Sequence, residues 1–471
     1  MMITTARVMQ ALWIFFLIHP AFGADRYVSL EGTNDFVNKF NTWSGAATDI
    51  QWAVNNALAG ETVWVSNGTY YLTNQISITA DVKLRSFSGS WADTIINGNN
   101  YNGKLVTNRC VFINHPDATI DGFTISNGFT IGTYGGGAMV QRGGVFNCRV
   151  VYNTASNHYG GGIGVNSIVV AMVNITNCII THNAAMRGGG VGAYDGFQAY
   201  RGSLAIEGCD VSSNTIYQGP NEPFGGGIHF YGSNLTVRNC KVVGNRLMSA
   251  PTGSGYGGGI SIMAYHVDVL IENCKIIGNI LSNLVGIAGG GGLHLSGGGS
   301  TVRNCLIGFN NCYNVPRGGG LYIEQASKTN LVESCTIVGN TSLPGFPGAG
   351  IYMAGNGYDV VMNCVVYSNR NNTAADWSFG DLSRTNYVHY TCSPQTMGGN
   401  DNITANPLFA NWADGNYALS VNSPCINAGS NAAWMGGAMD LGFHSRKDRF
   451  SGIVDMGCYE YLPRGMMYKI R

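Results

Sequence analysis

A small set of histidine, tyrosine and glutamate residues recurs at matched positions of a repeating sequence. Aromatic side chains stack on the apolar faces of sugar rings, and polar side chains bind their hydroxyl groups. A histidine beside a carboxylate can also transfer protons. The sequence therefore offers His294 and Glu324 as a candidate catalytic pair. It also offers a candidate substrate-binding row, whose members are His229, Tyr231, Tyr322 and Tyr352.

These residues form two columns, defined by their distance from runs of glycine. The first column is the residue that follows the apolar residue after each run: Gly164, Gly192, His229, Ser261, His294, Tyr322 and Tyr352. The second column lies two residues further on: Asn166, Tyr194, Tyr231, Met263, Ser296, Glu324 and Ala354. If the repeats stack in register, both columns lie on one face. The alternative interpretation is a set of solvated strand positions, where tyrosine is common.

A repeat of roughly 30 residues organises this part of the chain. Eight cysteines follow one another at intervals of 30, 31, 31, 34, 31, 30 and 29 residues: Cys148, Cys178, Cys209, Cys240, Cys274, Cys305, Cys335 and Cys364. An asparagine stands five residues after each cysteine, from Asn153 to Asn369. Residues around each cysteine alternate between apolar and polar, which indicates strands with one buried face. A unit of this length has no room for a crossover helix, so the repeat predicts a parallel β-helix of about 10–12 coils.

The two ladders have structural explanations. Cysteine is small and apolar enough to stack in a narrow core. Asparagine tolerates a left-handed corner, and its amide can bond up and down the stack. Disulfides along the ladder are disfavoured because adjacent rungs project in parallel, and no recurring histidine or cysteine pair indicates a metal. We therefore expect free thiols in the ladder, with Cys392 as its last rung, and a candidate disulfide between Cys425 and Cys458.

The ends of the chain differ from the repeat. Residues 1–24 have the charge and short apolar core of a signal peptide. Residues 25–113 are expected to form an N-terminal cap and first coils, with a capping helix near 47–57 begun by Thr48 or Asp49. Residues 114–405 carry the β-helix repeats, and Gly122 is assigned to a cysteine position. Residues 406–471 are expected to cover the C-terminal edge.

Composition limits the partners. Charged residues are 11% of the chain and the net charge is zero, which argues against nucleic acid and anionic membrane surfaces. No segment after the signal peptide is long and apolar enough to span a membrane. We expect a monomer that is secreted to the periplasm, the cell surface or the medium.

The chain resembles the right-handed parallel β-helix proteins of the pectin-lyase-like superfamily, through its helix-then-strand entry and its coils. Its glycine-run and xxN elements are similar to repeats of chlamydial polymorphic outer membrane proteins. The tail from Asn406 to Tyr461 looks like the choice-of-anchor Q region of bacterial secreted β-helix proteins. These resemblances imply an all-β, single-stranded right-handed parallel β-helix. The chain lacks that region's final anchor, so release, or retention by other means, is expected.

The resemblance leaves two functions open. The first is a secreted bacterial protein that binds, and in the enzymatic case depolymerises, an extracellular polysaccharide or cell-surface glycan. Such an enzyme would be a polysaccharide lyase or a glycoside hydrolase. The second is a non-enzymatic, adhesin-like rod. No cofactor is evident, although calcium is compatible with the resemblance. Catalytic signatures of the best-known pectin-degrading relatives are not found, and fold alone does not give function.

Overall fold

The computed structural model describes residues 25–98, 107–166, 171–194, 202–216, 223–232, 234–248, 254–264, 268–282, 288–313, 317–326, 328–343, 348–354, 359–370, 387–396 and 398–462. The expected signal peptide lies outside these residues. The described part is built from short strands, with the α-helix Ile50–Asn56 and the 3₁₀-helix Ala433–Met435. Neither helix has the length and apolar character needed to cross a membrane.

Three long parallel sheets arise because each strand pairs with its copy one turn along the chain. The described strands of the first sheet are Arg26–Val28, Thr62–Val65, Ile76–Ile78, Lys83–Ser86, Val111–Asp121, Ala138–Phe146, Ile163–Val165, Ala171–Thr176, Val191–Tyr194, Gly202–Glu207, Ile228–Gly232, Asn234–Arg238, Ile260–Ala264, Val269–Glu272, Leu293–Gly297, Ser300–Arg303, Leu321–Ala326, Leu331–Glu333, Ile351–Met353, Val360–Met362 and Val388–His389. Those of the second sheet are Gly68–Tyr71, Thr94–Asn97, Thr124–Ser126, Arg149–Val151, Ile179–Thr181, Asp210–Ser212, Lys241–Val243, Lys275–Ile277, Leu306–Gly308, Thr336–Val338 and Val365–Tyr367.

Most strands of the third sheet begin directly after a ladder asparagine. Its described strands are Phe129–Ile131, Thr154–Tyr159, Ala184–Arg187, Thr215–Ile216, Arg246–Met248, Ile280–Ser282 and Asn311–Cys312. A parallel pair beside the glycine runs joins Gly255–Tyr256 and Ala288–Gly289. The tail adds an antiparallel pair, Phe409–Asn411 with Asn416–Leu419.

Inward-facing side chains stack on their copies in one continuous core. In the second sheet Val242 pairs with Ile276, and Ile276 pairs with Ile307; all three are fully buried. Parallel strands in a sheet lie about 4.8 Å apart, so like residues contact like residues along the whole stack. The parallel β-helix predicted from the repeat is therefore confirmed.

The cysteines of the ladder are buried free thiols that stack in a row, as predicted. The sulfur of Cys209 accepts the backbone N–H of Cys178 at 3.4 Å, and the sulfur of Cys240 accepts that of Cys209 at 3.4 Å. Cys425 and Cys458 are also free. They do not pair, because they belong to two different clusters of buried residues between the tail and the β-helix.

The asparagine ladder is a continuous hydrogen-bond chain inside the core. The side-chain oxygen of Asn245 accepts bonds from both the backbone N–H and the side-chain amide of Asn214, each at 3.0 Å. Its own amide donates to the Asn279 side-chain oxygen at 3.0 Å and to the Val211 carbonyl at 2.9 Å. Buried polar groups need such partners, so the ladder can lie at the centre of the molecule.

Left-handed backbone falls just before each cysteine rather than on the ladder asparagines. Asn177 and Asn239 stand one residue before a cysteine and have φ of 55° and 56°. Gly122 belongs to this column, with φ of 85°. The assignment of Gly122 to a cysteine position was therefore wrong: Asp121 pairs with Phe146, which places Phe123 at the level of Cys148.

The N-terminal helix covers the first coil, as predicted. Asp49 caps it by accepting the backbone N–H of Trp52 at 3.2 Å. Its buried residues Ile50, Ala53 and Val54 join the main core. The helix thus shields the end of the core from water and blocks edge-to-edge pairing with another chain.

The last rung of the ladder is Thr391, not Cys392. The hydroxyl of Thr391 accepts the Cys364 N–H at 3.3 Å, taking the place of a ladder sulfur. Tyr390 before it has the left-handed φ of 46° found at that point of other coils. Successive strand residues face opposite sides, so Cys392 points outward. The edge of this coil is covered by a segment whose Ile403 N–H donates to the Thr391 carbonyl at 3.0 Å.

The described part of the tail lies along the outer face of the second sheet. The Cys458 N–H donates to the Thr336 hydroxyl of the second sheet at 3.1 Å. Trp434 donates its indole N–H at 2.6 Å to Glu333, at the end of the neighbouring strand of the first sheet. Apolar tail residues also cover outward-facing Leu306. The described part of this segment thus covers the flank of the last coils, whose outer face is apolar. The assignment of residues 406–471 to a capping region stays a prediction.

The tail contains buried charges that should make stability depend on pH. Burial raises the pKa of Glu460 to about 8, although the Arg446 guanidinium lies 3.2 Å away. A carboxyl whose pKa is higher in the folded state takes up a proton on folding between its unfolded value of 4.5 and about 8. The contribution of Glu460 to the free energy of unfolding is therefore full below this window and falls as the pH rises. Urea unfolding midpoints should be lower at pH 8 than at pH 5.

The matched variant is Glu460→Gln, which keeps the shape of the protonated carboxyl. Its midpoint should change less between pH 5 and pH 8 than that of the native chain. An identical pH slope in the two proteins would show that Glu460 does not carry the effect.

Candidate functional site

Strand pairing aligns the first predicted column. His229 pairs with Ser261, Ser261 with His294, His294 with Tyr322, and Tyr322 with Tyr352. The second column is aligned in the same strands through Tyr194, Tyr231, Met263 and Ser296. Glu324 follows at an irregularity of the register, after Leu295 pairs with Ile323.

The two columns differ in exposure. His229 and Tyr322 are each 1% exposed and His294 is fully buried, so these predicted site residues do not line an open groove. The second column is half-buried, and the Glu324 side chain is 35% exposed. We call the accessible set the rim. It consists of Tyr194, Tyr231, Met263, Ser296, Glu324 and the half-buried end of the first column, Tyr352.

A third column of residues packs over the first column. The sequence interpretation missed it. It is the residue directly before each glycine run: Tyr134, Tyr159, Arg187, Phe224, Tyr256, Gly289 and Arg317. Bridges connect Tyr159 to Arg187, Arg187 to Phe224 and Phe224 to Tyr256. We call this set the covering column. Its signal was present in the sequence, since aromatic residues or arginine repeatedly precede the glycines.

The glycine runs let the covering column fold back over the first column. Gly257 has a φ of 71°, and a Cβ added there would lie 2.2 Å from the carbonyl oxygen of Ile260. Only glycine accommodates both this conformation and this approach. The tight turn brings Tyr256, on one side of the run, into the same layer as the ring of His294 from the next coil.

The first and covering columns together form one layer of stacked rings, which we call the aromatic layer. Its N-terminal half is a stack around Arg187. Its guanidinium lies 5.3 Å from the ring centre of Tyr159 and 5.1 Å from that of Phe224. The ring of His229 stacks between the same two residues, at 5.6 and 5.2 Å. Burial holds the pKa of His229 well below its usual value, and Arg187 lowers it further. His229 is therefore a neutral packing residue.

The C-terminal half of the aromatic layer contains Tyr256, His294 and Tyr322. The ring of His294 lies 4.5 Å from that of Tyr256 and 5.5 Å from that of Tyr322. Gly289 leaves room for Tyr322, since a Cβ added at Gly289 would lie 2.8 Å from the tyrosine ring. The ring of Tyr322, from the first column, thus occupies the space that Gly289 leaves in the covering column by having no side chain.

The structure brings the predicted pair together. His294 Nε2 lies 3.4 Å from a carboxylate oxygen of Glu324, and His294 Nδ1 lies 3.1 Å from the Ser261 hydroxyl. Burial lowers the pKa of His294, whereas the contact with His294 lowers the pKa of Glu324. The imidazole is therefore neutral and the carboxylate ionised near pH 7. Because Ser261 is fully buried, its hydroxyl orients the imidazole and is not placed for attack on a substrate.

Arg317 adds a positive charge beside this pair. Its guanidinium lies 5.4 Å from the ring centre of Tyr352, and its positive charge acts to lower the pKa of Tyr322. Burial raises the pKa of Tyr322, so its hydroxyl stays protonated near neutral pH. At its Glu324 end, the rim therefore has an ionised carboxylate and the aromatic face of Tyr352, with the Arg317 cation beside them.

The described residues bring no three histidine, cysteine, aspartate or glutamate side chains together in a way that could hold a metal ion. Calcium prefers several oxygen ligands, and this part of the chain does not offer a fitting set. A cavity of about 530 Å³ lies on a different face, between the second sheet and the tail. Its lining includes Arg238, Lys241, Lys275, Glu272, Met439 and Phe443.

Comparison with known proteins identifies the architecture. The family model for the right-handed β-helix region matches residues 109–307 and 194–423. Pectate lyase PEL9 of Emericella nidulans is 35% identical over 96 residues, which are 19% of this chain and 22% of that protein. The match thus spans about a fifth of the relative's length.

Two solved structures show low-identity likeness over most of the chain. The crystal structure of pectate lyase Pel9A shares 12% identity, with 93% of this chain and 97% of that chain covered at a TM-score of 0.43. A rhamnogalacturonan lyase shares 13% identity, with 85% and 96% covered at a TM-score of 0.36. The likeness to polymorphic outer membrane repeats and to choice-of-anchor Q tails stays a prediction. The family-model match covers more than half of the sequence, and the chain therefore belongs to the right-handed β-helix family, as its resemblance to pectin-lyase-like proteins predicts.

Proposed function

We propose that this protein is exported and, as a monomer, binds an extracellular polysaccharide along the rim. The rim is a straight row because parallel pairing repeats its members at the spacing of adjacent coils. A linear polymer can therefore contact several coils at once. The family's fold leaves the ligand open, so the proposal depends on the side chains of this face.

The observation that carries the proposal is the pair of half-buried tyrosines at one end of the row. The rings of Tyr194 and Tyr231 stack with centres 5.1 Å apart and planes 28° apart. Tyr159 lies under Tyr194 at 5.4 Å and supports it. Tyrosines held in this way present apolar area and a polar tip at little cost in conformational entropy, which suits sugar rings.

At the other end Glu324 supplies the polar contact. Its lowered pKa keeps it ionised near neutral pH, so it accepts hydrogen bonds from sugar hydroxyls. Glu324 is also the group that would take a proton from a bound sugar in a cleavage reaction. Because His294 is fully buried, it acts through Glu324 and is a positioning residue rather than one that touches the polymer.

A non-enzymatic, adhesin-like rod is the second candidate, and burial of the first column favours it. His229 and Tyr322 are 1% exposed and packed in the aromatic layer, as structural residues would be. A glycan array that includes pectins, alginates and neutral plant polysaccharides separates the two. Retention of at least one polysaccharide supports the binding proposal, and retention of none leaves the rod.

Replacing Tyr231 with alanine should weaken the retained polysaccharide's binding about tenfold. The variant removes one stacking face, and a loss of about 1.4 kcal/mol corresponds to a factor of ten in Kd. Affinity electrophoresis or calorimetry with the polysaccharide found on the array measures the change.

The control is Tyr152→Gly. Tyr152 is 58% exposed and lies next to the second sheet, away from the rim. Its φ is 59°, a conformation that glycine adopts without strain. Binding by this variant should match that of the native chain. Equal affinities for Tyr231→Ala and the native protein would exclude the rim as the binding surface.

A further inference from the structure

Cys392 and Cys425 meet between the last coil and the tail. Thr391 occupies the ladder, so Cys392 is directed to the outer face, where it bridges to Val365. Cys425 belongs to the tail segment that covers this face. Both side chains are fully buried, in a cluster with Val365, Leu419 and Met456.

The two thiols approach from opposite layers. Both belong to one buried cluster, and the influence of Cys425, together with burial, raises the pKa of Cys392. The Cys392 thiol donates to the Ala405 carbonyl at 3.2 Å. Ladder thiols differ because they project in parallel from adjacent coils, which is poor geometry for a bridge. Cys458 lies in another cluster and donates its backbone N–H to Thr336.

We propose that Cys392 and Cys425 are a disulfide-forming pair that fastens the tail to the β-helix. Each thiol gives up its hydrogen as the sulfur–sulfur bond forms. The two electrons and two protons pass to a small disulfide oxidant such as oxidised glutathione, which is reduced to two thiols through a mixed disulfide. The structure shows the pair in its reduced form.

The bond should form during folding. Thiolates are the attacking species, and burial with a raised pKa makes the thiolate of Cys392 scarce once the tail has closed. The link would join the last coil to a point 33 residues further along the chain. Constraining the unfolded chain in this way stabilises the fold, and the tail would release last on unfolding.

The test is a thiol count on the full chain after refolding. Reduced, denatured protein is refolded in a glutathione redox buffer, and the soluble fraction is denatured without reductant and alkylated. Intact mass should show eleven alkylated cysteines of the thirteen in the sequence. Peptide mapping should find Cys392 joined to Cys425. Thirteen alkylated cysteines, or a pair of other cysteines, would overturn the proposal.

Two variants supply the controls. Cys392→Ser should leave every remaining cysteine alkylated, whereas Cys458→Ser should keep the Cys392–Cys425 link and lose one alkylated thiol. A new bridge between Cys425 and Cys458 in the first variant would show promiscuous oxidation instead of a built pair. The count on the native chain decides the question even if a variant fails to fold.

Discussion

Replacing Asn245 with alanine is expected to lower the free energy of unfolding by about 3 kcal/mol. Its side chain accepts two bonds from Asn214 and donates to Asn279 and to the Val211 carbonyl, all inside the core. Alanine would leave these buried groups without partners, and each unsatisfied group costs about 1–3 kcal/mol. Urea denaturation of the full chain measures the loss, and amide hydrogen exchange at Asn214 should rise with it.

Asn239→Gly is the matched control for this prediction. Asn239 lies in the same coil but is exposed, and its φ of 56° suits glycine. Its stability should stay within about 0.5 kcal/mol of the native chain, as is usual for surface changes. If the two variants lose stability equally, the buried ladder has no special role.

Replacing Gly289 with alanine should be the second largest change, at about 2 kcal/mol. The new methyl group would lie 2.8 Å from both the Tyr322 ring and the Arg317 carbonyl oxygen. Tyr322 is almost fully buried between Tyr256 and Tyr352, so its ring cannot move away freely. Overpacking of this kind costs about 1–3 kcal/mol. Polysaccharide binding should weaken as well, because Tyr322 supports the Glu324 end of the rim.

Gly436→Ala controls for the general effect of adding a methyl group. Gly436 has a φ of −67°, and the nearest atom to an added Cβ is 3.5 Å away. This variant should match the native chain or be slightly more stable, because alanine restricts the unfolded chain. A normal Tyr322 environment and native stability in Gly289→Ala would show that the aromatic layer is loosely packed.

Much of the fold could be predicted because the repeat imposes one register on every coil. Cysteine spacing and strand alternation sufficed to place His294 above Tyr322 and to bury the thiols. The prediction of the last ladder position failed because the alternation of inward-facing and outward-facing residues is shifted there by one residue. Thr391 and Cys392 are neighbours, and only the pairing with Cys364 shows which of them faces inward.

The site was less predictable because exposure depends on contacts between columns. Tyr322 stands at an outward strand position, yet it is buried because the glycine turn folds Tyr256 into the same layer. Alternation alone reports which side of a strand a residue faces, not what covers it. The proximity of His294 and Glu324 was predicted because they stand in adjacent columns of successive repeats, but the burial of His294 was not predicted.

The most direct test of the rim as a sugar-binding surface is a crystal structure of the full chain with oligosaccharides of the polysaccharide that it retains on the array. The sugar rings are expected to lie along the rim, with one ring against Tyr231 and a hydroxyl within hydrogen-bonding distance of Glu324. Oligosaccharide bound only elsewhere, for instance in the cavity beside Lys241 and Phe443, would contradict the proposal.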